Sequence, residues 1–174
     1  NDCTPKMVFA GADYRKIVAE AAREFTYIEK CYTIGGGETP EGFIPFKELY
    51  SKKGVEKEFD IPANSGFVII HTAAVGGRPR GALLSQANIV YANLVYARQF
   101  NLGPEECHIC FLPLYHAAGL FLAMAVMHGG GKNVIMERFD PELTLKLIKN
   151  EKGTFFFNFA PILKMIMDKY DEGS

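Results

Sequence analysis

Apolar positions along the chain follow two alternating periods. Residues 6–10 form a short apolar run, and Tyr14, Ile17, Val18, Ala21 and Phe25 then recur at i, i+3, i+4, i+7 and i+11, one face of an amphipathic helix. Residues 29–34 read as a second strand closed by three glycines, residues 45–50 as a short helix, and residues 51–64, charged and broken by Gly54 and Pro62, as a surface connection. The grammar repeats with stronger signals. Residues 67–72 are nearly continuous in apolar character, the pattern of a strand covered on both faces. Residues 85–100 predict a helix, 108–112 a strand, 117–127 a helix and 132–136 a strand. Asp140 as N-cap with Pro141 at the first helical position opens a helix to about residue 151. Residues 154–158 are the last expected strand, and Pro161 starts the last helix. The expected fold class is α/β, a mostly parallel sheet flanked by helices.

Composition narrows the function classes. With 48% hydrophobic and 22% charged residues over 174 positions, the chain is globular and long enough to bury a core. A formal charge of −1 with scattered basic residues argues against nucleic acid as a partner. The most apolar stretch, residues 117–127, is too short to span a bilayer, so no integral membrane segment is expected. The start lacks both an initiator Met and a basic region before an apolar core, and the end falls just after a helix, so a piece of a longer protein is expected. Cys107 and Cys110 have C-x-x-C spacing, but residues i and i+3 of a strand point to opposite faces and cannot clamp one ion. With Cys3 and Cys31 they read as reduced thiols, and no metal ligand is assigned. Asp140 and Glu142 read as helix-start residues rather than a catalytic carboxylate pair.

The candidate chemistry lies in residues 71–88, which read as a strand end, a glycine-rich loop and a helix start in immediate succession. Gly76 and Gly77 are suited to positive φ, so backbone N–H groups can converge on an oxyanion; Arg80 adds a cation and Gly81 allows close approach. Ser85 as N-cap would bring a helix N-terminus near the same anion. The P-loop pattern G-x-x-x-x-G-K-S/T fails because Ala82 and Leu83 follow Gly81, and the dinucleotide pattern fails on glycine spacing.

The loop resembles the signature loop of the adenylate-forming (AMP-binding) superfamily, aromatic-T-S-G-S/T-T-G-x-P-K-G. Thr72, Gly77, Pro79 and Gly81 match, Arg80 replaces the Lys, and Leu84, Ser85 and Asn88 continue the pattern. Ala73, Ala74, Val75 and Gly76 stand where the family has Ser, Gly, Ser or Thr, and Thr. Two lost hydroxyl contacts to phosphate would be worth roughly 3–6 kcal/mol. Phe111 to Leu120 resembles the family segment L-P-L-F/Y-H-x-x-G, and Phe139-Asp-Pro-Glu142 its next unit. The resemblance covers about residues 64–170.

The resemblance, most like the large N-terminal domain of acyl-CoA synthetases and long-chain fatty acid CoA ligases, implies several expectations. The chain is a single fragment, 1–174, with a βαβ part at 1–63 and the loop-bearing part at 64–174. The full enzyme would join a carboxylic, fatty acid to ATP with Mg2+ and pass the acyl group to coenzyme A. Thr72, Ala73, Ala74, Val75, Gly76, Gly77, Arg80 and Gly81 would hold the ATP phosphates, with Arg80 as the catalytic cation. Tyr115, His116 and Gly119 would border the acyl group. Adenine, ribose and lysine motifs of the family are missing, so the remainder of its own chain is an expected partner and the isolated chain is expected to be inactive. The expected location is cytoplasmic, with peripheral membrane attachment left open. The hydroxyl-poor loop keeps an alternative in play, a degenerate non-catalytic nucleotide- or acyl-binding module.

Overall fold

The computed structural model describes residues 3–51, 54, 57–73 and 76–173, which fall into two compact units, Asn1–Asp60 and Ile61–Ser174. The first holds strand β1 (Met7–Ala10), a 3-10 turn (Ala12–Tyr14), helix α1 (Arg15–Glu24), β2 (Lys30–Thr33), β3 (Phe43–Pro45) and the short α2 (Glu48–Ser51). Its strands run parallel in the order β1-β2-β3, with Ala10 opposite Thr33 and Thr33 opposite Pro45. Ala10, Cys31 and Tyr32 are buried, and the Tyr32 ring stacks on Phe9 at 5.1 Å. The sequence predicts a helix from residue 45, but β3 stands there and the helix starts three residues later. Proline is tolerated because β3 is an edge strand, with β2 its one neighbour.

The second unit runs β4 (Gly66–His71), β5 (Gly81–Ser85), α3 (Gln86–Gln99), β6 (Cys107–Cys110), α4 (Ala117–His128), β7 (Lys132–Ile135), α5 (Pro141–Glu151) and α6 (Ala160–Glu172). β6 and β7 pair in parallel with Cys107 opposite Lys132 and Cys110 opposite Ile135. Helix α4 is apolar all round because it is an inner helix: Leu122, Ala123, Ala125 and Val126 are buried, and α3 packs along it. Ile109, Phe111, Met136 and Ile166 form the main core between β6, β7 and α6, each worth about 1.5–3 kcal/mol when fully buried. Asp140 caps α5 as its sequence predicts, Oδ1 accepting from Leu143 N at 2.6 Å. Cys107 and Cys110 are buried free thiols; burial raises the pKa of Cys110, so it remains a thiol.

Three expectations are corrected here. The glycine loop does not lead straight into a helix. It closes an antiparallel β4–β5 hairpin, with His71 opposite Gly81 and Ile70 opposite Ala82. Ala82, Leu83 and Leu84 favour helix, but the free edge of β4 supplies ladder partners and pairing overrides propensity. Second, β4 is not covered on both faces within this chain, since Phe67 is 46% and Ile69 36% exposed. Third, the strand expected at 154–158 shrinks to one bridge, Phe155 to His108, beside which the Thr154 hydroxyl accepts from the Cys107 N–H at 2.9 Å. No helix among the described residues is long and apolar enough to cross a membrane.

Candidate functional site

The hairpin is one wall of the site. Thr72 closes its loop twice: its N–H donates to Arg80 O at 3.0 Å, and its Oγ1 accepts from Arg80 N at 3.3 Å. The backbone of Arg80 is thereby held while its side chain stands in solvent, without a polar partner among the described residues. Gly77 takes φ 154°. Gly81 is required by packing, since a Cβ would lie 2.8 Å from Ile69 Cγ2 and 3.2 Å from His71 Nε2. Ala74 and Val75 lie outside the described residues.

Ser85 caps α3 in a reciprocal box: its Oγ accepts from Asn88 N at 3.2 Å, and Asn88 Oδ1 accepts from Ser85 N at 3.0 Å. This cap sits at the far end of β5. Five residues of strand put it roughly 16 Å from the hairpin loop, at about 3.3 Å per residue. The expected helix N-terminus therefore does not reach the loop, and any anion there depends on loop amides and Arg80.

The second wall follows β6. The segment Leu112-Pro113-Leu114-Tyr115 turns, His116 N donating to Pro113 O at 3.0 Å, and His116 becomes the N-cap of α4. Its Nδ1 accepts from Ala118 N at 3.2 Å, which leaves the ring proton on Nε2 as an outward donor. Gly119 serves packing instead of the cleft. It is buried, and a Cβ there would sit 2.3 Å from Pro113 O and 2.8 Å from Leu112 O, so only glycine lets the first turn of α4 rest on this loop.

The two walls enclose an open cleft of about 610 Å3. Thr72, Ala73, Tyr115 and His116 meet there. Gly76, Gly77, Arg80, Gly81 and Gly119 are not among its walls. His71 and the apolar Ile70, Leu84 and Phe121 complete it. Phe121 was visible in the sequence only as part of an apolar helix, five residues past the His116 cap. The described walls carry no carboxylate, so an anionic guest meets no like charge, and Mg2+ would find no ligand of its preferred kind there. Among the described residues no group of three His, Cys, Asp or Glu side chains converges on a metal position.

A parallel α/β frame with an apolar cleft at strand carboxyl ends, bounded by a glycine hairpin and a histidine-capped helix, defines a class of small-substrate domain. The model of the AMP-binding enzyme family matches residues 1–174, and the chain belongs to that family, with the large domain of an adenylate-forming, acyl-CoA synthetase-like protein. A Rhodopseudomonas palustris CGA009 protein assigned as a long-chain-fatty-acid CoA ligase is 40% identical. It superposes with a TM-score of 0.87 over 96% of this chain and 41% of its own. Indoleacetate–CoA ligase of Aromatoleum aromaticum is 22% identical over 91% of this chain and 34% of its own length. 4-Chlorobenzoate–CoA ligase of Pseudomonas sp. (strain CBS-3) is 35% identical over 55% of this chain and 19% of its own. The chain thus spans about a third or less of these two curated relatives.

Proposed function

We propose that this chain is the hairpin-bearing part of an ATP-dependent acid–CoA ligase whose acid is apolar, with fatty acids as the first class to test. The observation that carries the reading is the single cleft shared by Thr72 and Ala73 of the hairpin and by Tyr115 and His116 of the α4 cap. In this reading a carboxylate oxygen of the acid attacks the α-phosphorus of ATP. The bond to the β-phosphate breaks, and pyrophosphate leaves. The coenzyme A thiol, losing its proton to solvent, then attacks the acyl carbon and releases AMP.

Each wall has a part. The loop from Thr72 to Gly81, including Ala74, Val75 and Gly76, lies along the phosphates, and Arg80 swings in from solvent to offset charge developing on the leaving pyrophosphate. His116, held by its Nδ1 contact, offers Nε2–H to the carboxylate, which fixes the acid in place. Tyr115, Ile70 and Phe121 border the acyl group. Gly119 acts only by letting α4 seat. Mg2+, if used, would need ligands from the remainder of the protein, as would adenine and ribose; the isolated chain is therefore inactive in this reading. A cytoplasmic location fits an enzyme using ATP and coenzyme A.

A second reading has one observation in its favour. Ala73 puts a methyl group on the cleft wall where the family pattern has a hydroxyl, as expected for a non-catalytic binding module of the same fold. Acid-dependent pyrophosphate exchange by the full-length protein, over a panel of fatty and aromatic acids, separates the two. Exchange with an apolar acid supports the ligase. Binding of an acid or nucleotide without exchange supports the module.

A further inference from the structure

A second cavity lies wholly within the first unit, at the carboxyl ends of its parallel strands, the edge where open α/β sheets bind ligands. It measures about 360 Å3, and its walls include Thr33 at the end of β2, the Gly35–Gly37 loop, Thr39, Lys47 and Tyr50. Among the described residues no carboxylate lines it.

Arg15 organises this loop from its other side. It is 8% exposed; Nη1 donates to Glu38 O at 3.0 Å, and Nη2 donates to Ile34 O at 3.0 Å, Gly36 O at 2.9 Å and, at longer range, Gly35 O at 3.4 Å. In a trans peptide the C=O and the following N–H point in opposite directions. The N–H groups of Gly35, Gly37 and Thr39 share planes with the Ile34, Gly36 and Glu38 carbonyls, so they point away from the guanidinium, and all three residues line the cavity. Left-handed φ values of 84° at Gly35 and 96° at Gly37 permit this turning of successive carbonyls toward one guanidinium. No backbone carbonyl among the described residues accepts from these three N–H groups.

Thr33 supplies an independent observation. It is only 5% exposed, it lines the cavity, and its Oγ1 is buried without a hydrogen-bond partner among the described residues. Such a group is rare in a native protein unless something completes it. Lys47, on the opposite wall, is exposed and forms no ion pair among the described residues.

We propose that this cavity is a binding site for a phosphate-type oxyanion, free or as a small monoester. The N–H groups of Gly35, Gly37 and Thr39 and the Thr33 hydroxyl donate to its oxygens, and Lys47 offsets its charge. Phe46 and Tyr50, edge to face at 5.2 Å, offer an aromatic corner for the organic part of a monoester. The inference uses only the first unit and stands whether or not the ligase reading does.

The test is an amide titration of the full-length protein, 15N-labelled on glycine, with inorganic phosphate and separately with phenyl phosphate at constant ionic strength. Saturable shifts at Gly35 and Gly37 are expected. Thr33→Val and Lys47→Gln should each weaken binding about five- to tenfold. Thr33→Val should also raise the melting temperature without phosphate, an advantage that narrows as phosphate is added. Tighter binding of phenyl phosphate assigns the site to a monoester, and equal binding to free phosphate. Shifts that never saturate, or an affinity unchanged in Lys47→Gln, would overturn the proposal.

Discussion

The backbone N–H of Ala118 donates to Nδ1 of His116 at 3.2 Å, so one residue both starts helix α4 and lines the cleft. These roles separate by substitution. His116→Ala loses the cap and should cost about 1 kcal/mol in urea unfolding. His116→Asn keeps a good capping residue and should restore most of that stability, yet it removes the Nε2 donor. In the full-length protein it should therefore raise KM for the acid while the fold holds. Restored stability with unchanged KM would make His116 a cap alone.

His108 sets a pH dependence of stability. It is 3% exposed, and its Nδ1 lies 2.7 Å from Asn133 Oδ1, while Asn133 Nδ2 donates to Ala123 O at 2.9 Å. The amide orientation makes Oδ1 the acceptor and puts the ring proton on Nδ1. Burial lowers the pKa of His108, and the Asn133 contact only partly opposes this. The unfolded chain thus binds a proton more readily. Stability is fully present above the unfolded value of about 6.5 and falls as pH drops toward the folded value, by at most about 1.4 kcal/mol per pH unit. Unfolding midpoints between pH 7.5 and 5 should show this slope, and His108→Leu should flatten it. An identical slope in the variant would assign it to other groups.

Gly119→Ala places a methyl 2.3 Å from the carbonyl oxygen of Pro113, a backbone atom that cannot rotate away. The first turn of α4 must lift, carrying His116 with it. We expect a loss of about 1–3 kcal/mol and a rise in KM for the acid in the full-length protein. Gly76→Ala, with nothing within 4 Å of the added carbon, is the contrasting control for steric cost. Equal stability of the two variants would remove the packing role given to Gly119.

What the sequence made legible was local. Asp140 with Pro141, and Ser85 with Asn88, announce their helices because a cap is decided within four residues. The strand β5 was hidden because Ala82-Leu83-Leu84 carries helix propensity, and only pairing with residues 66–71 overrides it. The Ser85 cap was placed correctly, but without β5 it read as lying beside the glycine loop. His108 had no visible partner because Asn133 lies 25 residues away. Gly119 read as a pocket residue because its constraint, the Pro113 carbonyl, exists only once the chain has turned. Thr72 and His116 were placed on one rim from their positions after two strands, and the cleft brings them together; Arg80, placed by its match to the family's Lys position, stands in solvent.

The central claim is that the hairpin and the α4 cap are two walls of one substrate cleft, and pyrophosphate exchange measured against ATP and acid concentration in the full-length protein tests it most directly. Arg80→Ala should reduce exchange at least tenfold, on the scale of one lost charge-assisted contact, chiefly through ATP. Phe121→Trp should leave the ATP dependence alone and shift preference toward shorter acids. Wild-type exchange with both variants indistinguishable from it would contradict the account and move the nucleotide and the acid to other parts of the protein.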